Sequence, residues 1–143
     1  MKTIECYKVV IQGKSILARG HKTCDLTCAC RLAVQYEIGK VTFPKVGKLY
    51  CFTSLAQARE FAKDYLLYIH DGLRIFKGIG GNPKYMKYTA QYYFHIETFW
   101  KAVLRKESVR DTTLVYSLPK GSVCVDFFEP TEIMENDNDK DNV

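Results

Sequence analysis

The tightest constraint on this chain lies between residues 49 and 66, where a short apolar run feeds directly into a capped amphipathic helix. Leu49-Tyr50-Cys51-Phe52 has the length and composition of a buried strand. Ser54 stands where its hydroxyl can accept from the unpaired first-turn amides, and Gln57 three residues on completes a capping box. Leu55, Ala58, Phe61, Ala62, Tyr65 and Leu66 then recur at spacings of three and four, with Gln57, Arg59, Glu60 and Lys63 opposite them. Asp71-Gly72 ends the segment. A helix with one apolar face must bury it, so the rest of the chain has to supply a second layer.

Most of that remainder reads as short strands. Residues 4–11 put Tyr7, Val9 and Ile11 on one face, and a turn at Gln12-Gly13-Lys14 leads into a second strand over 15–18. Residues 19–30 follow neither period. Strands are expected over 32–38 and 41–43, divided at Gly39 and closed by Pro44, which has no amide hydrogen to give a ladder. Leu73–Lys77 is another strand, stopping at a glycine loop, Gly78-Ile79-Gly80-Gly81-Asn82-Pro83. Ile96, Phe99, Trp100, Val103 and Leu104 mark a second helix, while Tyr92-Tyr93-Phe94 before it would equally suit a strand. Runs over 113–118 and 122–128 flank Pro119-Lys120-Gly121 as a hairpin. The sum is an α+β fold, an antiparallel or mixed sheet of five to eight strands with two helices packed on it. A regular βαβ alternation is missing, which argues against a doubly wound nucleotide fold.

Composition sets the organisation and the kind of partner. A chain of 143 residues at 47% hydrophobic suits one globular domain, taken as 1–130. Residues 131–143 hold five acids and one base and too little apolar content for a core, so they are expected to form a disordered acidic tail. The overall charge of +5 therefore conceals a body of +9 against a tail of −4. Such a body attracts anions: nucleotides, nucleic acid or acidic protein surfaces. Met1-Lys2-Thr3-Ile4-Glu5 turns polar before a secretory apolar region develops, and no apolar stretch nears the ~20 residues of a membrane span. A soluble, cytoplasmic protein without membrane partners is expected, with its six cysteines as reduced thiols.

Three constellations carry candidate chemistry. The glycine loop Gly78, Gly80 and Gly81 is flanked by Arg74, Lys77, Lys84 and Lys87, so backbone amides and amines could converge on a phosphate, although neither a Walker A nor a G-x-G-x-x-G pattern is present. Tyr85 and Tyr88 interleave with those lysines and could stack on bases; packing against the sheet is the plainer role for such rings. His21, Cys24, Cys28 and Cys30 are suitable zinc ligands by chemistry, but four donors within ten residues lack the two separated pairs of a structural site, so buried free thiols are preferred and no cofactor is assigned. Acid–base pairs are sparse. His70 with Asp71 and His95 with Glu97 are the candidates, and Cys51 lies inside an apolar strand where a thiol is inert. The reading leans away from an enzyme, toward a non-catalytic protein that binds a phosphate-bearing ligand through Arg74, Lys77, Lys84, Tyr85, Lys87, Tyr88 and the glycines. The alternatives are a small enzyme acting on nucleotides or nucleic acid, and a protein-interaction or accessory module.

Overall fold

The computed structural model describes residues 1–11, 13–15, 32–66, 73–90, 96–108 and 115–134. Along the chain they form β1 (Thr3–Ile11), β2 (Lys14–Ser15), β3 (Leu49–Phe52), α1 (Leu55–Leu66), β4 (Leu73–Gly81), β5 (Tyr88–Ala90), α2 (Ile96–Leu104), β6 (Val115–Ser117), β7 (Ser122–Val125) and β8 (Phe127–Met134). The fold is α+β, with an antiparallel sheet in the order β7-β3-β1-β4-β8, β2 paired to the end of β1, and a separate β5-β6 ribbon. Among the described residues no helix is long and apolar enough to cross a membrane.

The sheet order contains its own geometric demand. β7 and β8 lie at opposite ends, yet Asp126 alone separates them in sequence. The sheet meets this demand by curling until its ends join. Lys84, just past β4, exchanges both backbone hydrogen bonds with Cys124 of β7, each 2.8 Å, and the Asp126 amide donates to the Gly81 carbonyl at 2.8 Å. Curling brings Cys6, Val10, Leu49, Cys51, Phe76, Val123, Val125 and Phe128 into one interior cluster.

The helices cover the outside. α1 is capped as its sequence indicates: the Gln57 amide donates to Ser54 Oγ at 3.2 Å, and the Ser54 hydroxyl donates to Gln57 Oε1 at 3.1 Å. Its Ala58 and Ala62, with partly buried Leu55 and Phe61, sit on Val9, Ile11, Phe52, Leu73 and Ile75. α2 lays Ile96, Phe99 and Trp100 against Ala90 of β5 and Tyr50 of β3.

Four sequence expectations are corrected. The glycine loop is strand: β4 continues through Gly81, with Gly78, Gly80 and Gly81 paired to β1 on one side and β8 on the other. Close approach across the curl is what requires glycine here, because a Cβ on Gly78 would run into the Glu129 carbonyl oxygen and one on Gly80 into Val125 and the Cys6 sulfur. The hairpin around Pro119-Lys120-Gly121 does not form, since β6 pairs with β5 and β7 with β3; the turn survives, held by the Ser122 amide donating to the Pro119 carbonyl at 3.1 Å. Residues 32–43 are no strand pair either. They form an irregular strap with isolated pairings, Tyr36 to Gly13 and Thr42 to Phe128, and the alternation seen in sequence reflects Tyr36 dipping to meet Phe128 edge-on at 5.9 Å. Finally, β8 carries the body to Met134, past the boundary drawn at 130. The remainder of the acidic segment, 135–143, lies outside the described residues, as does most of the second strand expected over 15–18.

Candidate functional site

β1 alternates, and its two faces differ in kind. Tyr7, Val9 and Ile11 face α1, whereas Cys6 and Val10 face the interior cluster. Lys8 falls between those two inward residues and is 4% exposed, in a class of side chain that is almost never fully buried without a partner. Its Nζ donates to the Tyr50 carbonyl at 2.5 Å and lies 5.7 Å from the centre of the Tyr36 ring. Burial pushes the amine below the ordinary lysine range, and the thiols of Cys51, Cys6 and Cys124 oppose that shift. No carboxylate among the described residues is ion-paired to it.

The three thiols around Lys8 are buried and reduced. Cys6 is pushed up by its hydrogen bond with Cys51 and by burial. For Cys51 burial acts upward, but the bond from Cys6 and the Lys8 charge act downward and prevail. Cys124 is pushed up to about 12 by burial. The result is an amine among three polarisable thiols, buried in the sheet interior.

Above Lys8 opens a small cleft, walled by the strap and α2, with Lys45, Lys48, Tyr50 and Trp100 among its lining residues. Gly47, at φ +61°, passes beneath the Trp100 ring where any Cβ would collide with it. Tyr50 and Trp100 stack with centroids 5.8 Å apart, and the Thr89 hydroxyl donates to the Tyr50 oxygen at 2.8 Å, which fixes this aromatic wall. Lys48 is ion-paired to Asp126, the residue at the β7–β8 corner. Hydrogen bonds from Lys48 and then from the Asn82 amide, the latter 3.0 Å long, hold the Asp126 carboxyl below its usual range, and nearby Lys84 acts in the same direction. The enclosed space is about 30 Å³, the share of one water molecule in the liquid, so a charged terminal group could enter but a whole nucleotide could not.

The residues singled out from sequence are dispersed. Arg74 is exposed near the start of β4 and turns back onto the Leu73 carbonyl at 2.8 Å. Lys77 is claimed by Glu5 at 3.6 Å and Glu132 at 3.5 Å, and Glu5 foremost raises its pKa. Gly78, Gly80 and Gly81 lie in the ladder, not in an anion-binding loop. Lys84, Tyr85 and Lys87 are exposed, Tyr85 to 71%, while Tyr88 is half-buried in β5. Lys77 lies within β4, whereas Lys84 follows the turn at Asn82, φ +51°, and pairs with Cys124 of β7. Cys51 is buried in β3, as its sequence context indicated. Glu97 is half-buried in α2. His21, Cys24, Cys28, Cys30, His70, Asp71 and His95 lie outside the described residues, and among the described residues no group of three or more His, Cys, Asp or Glu could hold a metal ion.

Sequence reasoning missed Lys8, Lys45, Lys48 and Trp100 as members of one site. A signal for Lys8 was present, because it is the single lysine inside the otherwise apolar run Tyr7-Lys8-Val9-Val10-Ile11. Nothing local linked it to residues 45, 48 and 100. No family model, curated protein or solved structure matches the chain.

Proposed function

We propose that the protein is a non-catalytic binder of a phosphate-bearing ligand, held by its charged end at the cleft of Lys8, Lys45 and Lys48, with Tyr50 and Trp100 as the aromatic wall. The observation that carries this reading is the convergence of three lysines, from positions 8, 45 and 48, on one concavity with a buried amine at its floor. Lys8 is buried without a carboxylate partner among the described residues, Lys45 is exposed and Lys48 is shared with Asp126, so an anion at the cleft would gain attraction from all three amines. Lys84 lies near Asp126, the partner of Lys48, and would meet parts of the ligand left outside the cleft.

Trp100 is the single tryptophan, so its fluorescence reports on the cleft directly. Titration with ATP and with inorganic pyrophosphate at 50 and 300 mM salt should show saturable quenching that weakens at least tenfold with salt. The Lys45→Ala, Lys48→Ala double variant should weaken binding by a further order of magnitude. An affinity indifferent to salt, or no response in wild type, overturns the reading.

A second reading, docking of a protein partner, is favoured by Ile38, Val41 and Phe43, which lie exposed where the strap runs beside β8, with Phe43 63% exposed and its ring 6.0 Å from Phe127. Sedimentation equilibrium of wild type against Phe43→Ser tests the simplest case, a second copy of the chain.

A further inference from the structure

We infer that Lys8 is a carbonyl-capturing amine, forming an imine with an aldehyde or ketone whose own phosphate or carboxylate is steered in by Lys45 and Lys48. The inference rests on the anion-binding reading of the same cleft and adds the reaction at its floor. Three observations carry it. Lys8 is among the residues lining the cleft and is otherwise buried, at 4% exposed. Among the described residues its one hydrogen bond, to the Tyr50 carbonyl, uses an N–H and leaves the nitrogen lone pair for attack in the neutral amine. The cleft is narrow and only partly open, which suits a carbonyl group at its base with the anionic group toward its mouth, where Lys45 is exposed and Lys48 half-buried.

Burial disfavours the charged form of Lys8, and the facing thiols of Cys51, Cys6 and Cys124 partly offset this. An exposed lysine is neutral in only roughly one molecule in 2,500 at pH 7, so even a modest depression gives Lys8 a large kinetic advantage. In the reaction the Lys8 lone pair attacks the carbonyl carbon, the former carbonyl oxygen gains a proton to give a carbinolamine, and water leaves as the C=N bond forms. Amine and carbonyl give imine and water, with no net oxidation or reduction.

The test uses the full chain and pyridoxal 5′-phosphate as a probe that joins an aldehyde to a phosphate, with pyridoxal as its phosphate-free counterpart. Limiting probe is added at pH 7, the imine is trapped by borohydride, and modified lysines are located by peptide mass spectrometry. Lys8 should take at least tenfold more label than Lys84, Lys87 or Lys120, and pyridoxal should label it at least tenfold less. Lys8→Met and Lys8→Arg should lose the site, and circular dichroism of both verifies that they fold. Label spread over exposed lysines with Lys8 unmodified overturns the inference. If ATP still quenches Trp100 in that case, the anion site stands without the imine. Equal labelling of Lys8 by both probes removes the steering role of Lys45 and Lys48 and keeps the nucleophile.

Discussion

The two faces of β1 are built from the same nine-residue strand and do opposite work. On the side of Tyr7, Val9 and Ile11 the contacts are those of an ordinary core, apolar throughout and roofed by a capped helix. On the side of Cys6, Lys8 and Val10 the strand encloses an amine among thiols, closed off by a curled sheet and an irregular strap. The inner face carries a buried charge-bearing group that stability alone would replace with a hydrocarbon, and such exceptions concentrate where binding or reaction occurs.

Substitutions on the two faces test this contrast. The largest effect is expected at Gly78, which pairs with Cys6 on the inner face: Gly78→Ala places a methyl against the Glu129 carbonyl and should cost 3 kcal/mol or more by overpacking, roughly the upper end of that class. Urea denaturation measures it, and an unchanged midpoint would mean that the curl is looser than described. Lys8→Met should act in the reverse sense, raising stability at pH 7 by roughly 1–3 kcal/mol through removal of a buried polar group. The pH dependence fixes the cause. Because burial lowers the folded-state pKa of Lys8, the unfolded chain holds the extra proton between that value and about 10.4, so the penalty is complete below the window and fades as pH rises through it. The gap between variant and wild type should therefore narrow toward pH 10. Cys124, pushed up to about 12, works oppositely, since its thiol stays protonated when the unfolded thiol ionises above about 8.5, which makes the difference between the two proteins the quantity to read. A gap constant with pH, or a loss of stability, would deny Lys8 its buried-amine character.

On the helix face the effects should be smaller and independent of ligand. Ser54→Ala removes the cap of α1 and should cost about 1 kcal/mol in urea, with anion affinity unaltered. Lys77→Met, beside Tyr7 on the outer face, should shift neither the urea midpoint nor ATP affinity measurably, since its partners are the exposed carboxylates of Glu5 and Glu132. A drop in ATP affinity there would return β4 to the binding surface and dissolve the distinction between the faces.

How much was legible follows from the range over which each feature is encoded. The Ser54 cap, the apolar face of α1 and the strand Leu49–Phe52 depend on neighbours within a few residues and were read correctly. The run Gly78-Ile79-Gly80-Gly81 misled because glycine signals a turn by default, whereas here it answers to Glu129, Val125 and Cys6 across the sheet. Ser122–Val125 and Val115–Ser117 resembled hairpin arms for the same reason: turn chemistry at Gly121 is local, but the choice of partner strand is not.

The sequence by itself determined the α+β class, the two amphipathic helices and the cap of α1, and the excess of positive charge in the body, since these follow from side-chain period and composition. Tertiary structure decided which lysines meet. Lys8, Lys45 and Lys48 share a recess with Trp100 only because β7 and β8 turn a corner at Asp126 and draw the sheet closed, and closure depends on pairings between residues tens of positions apart, which no local pattern records.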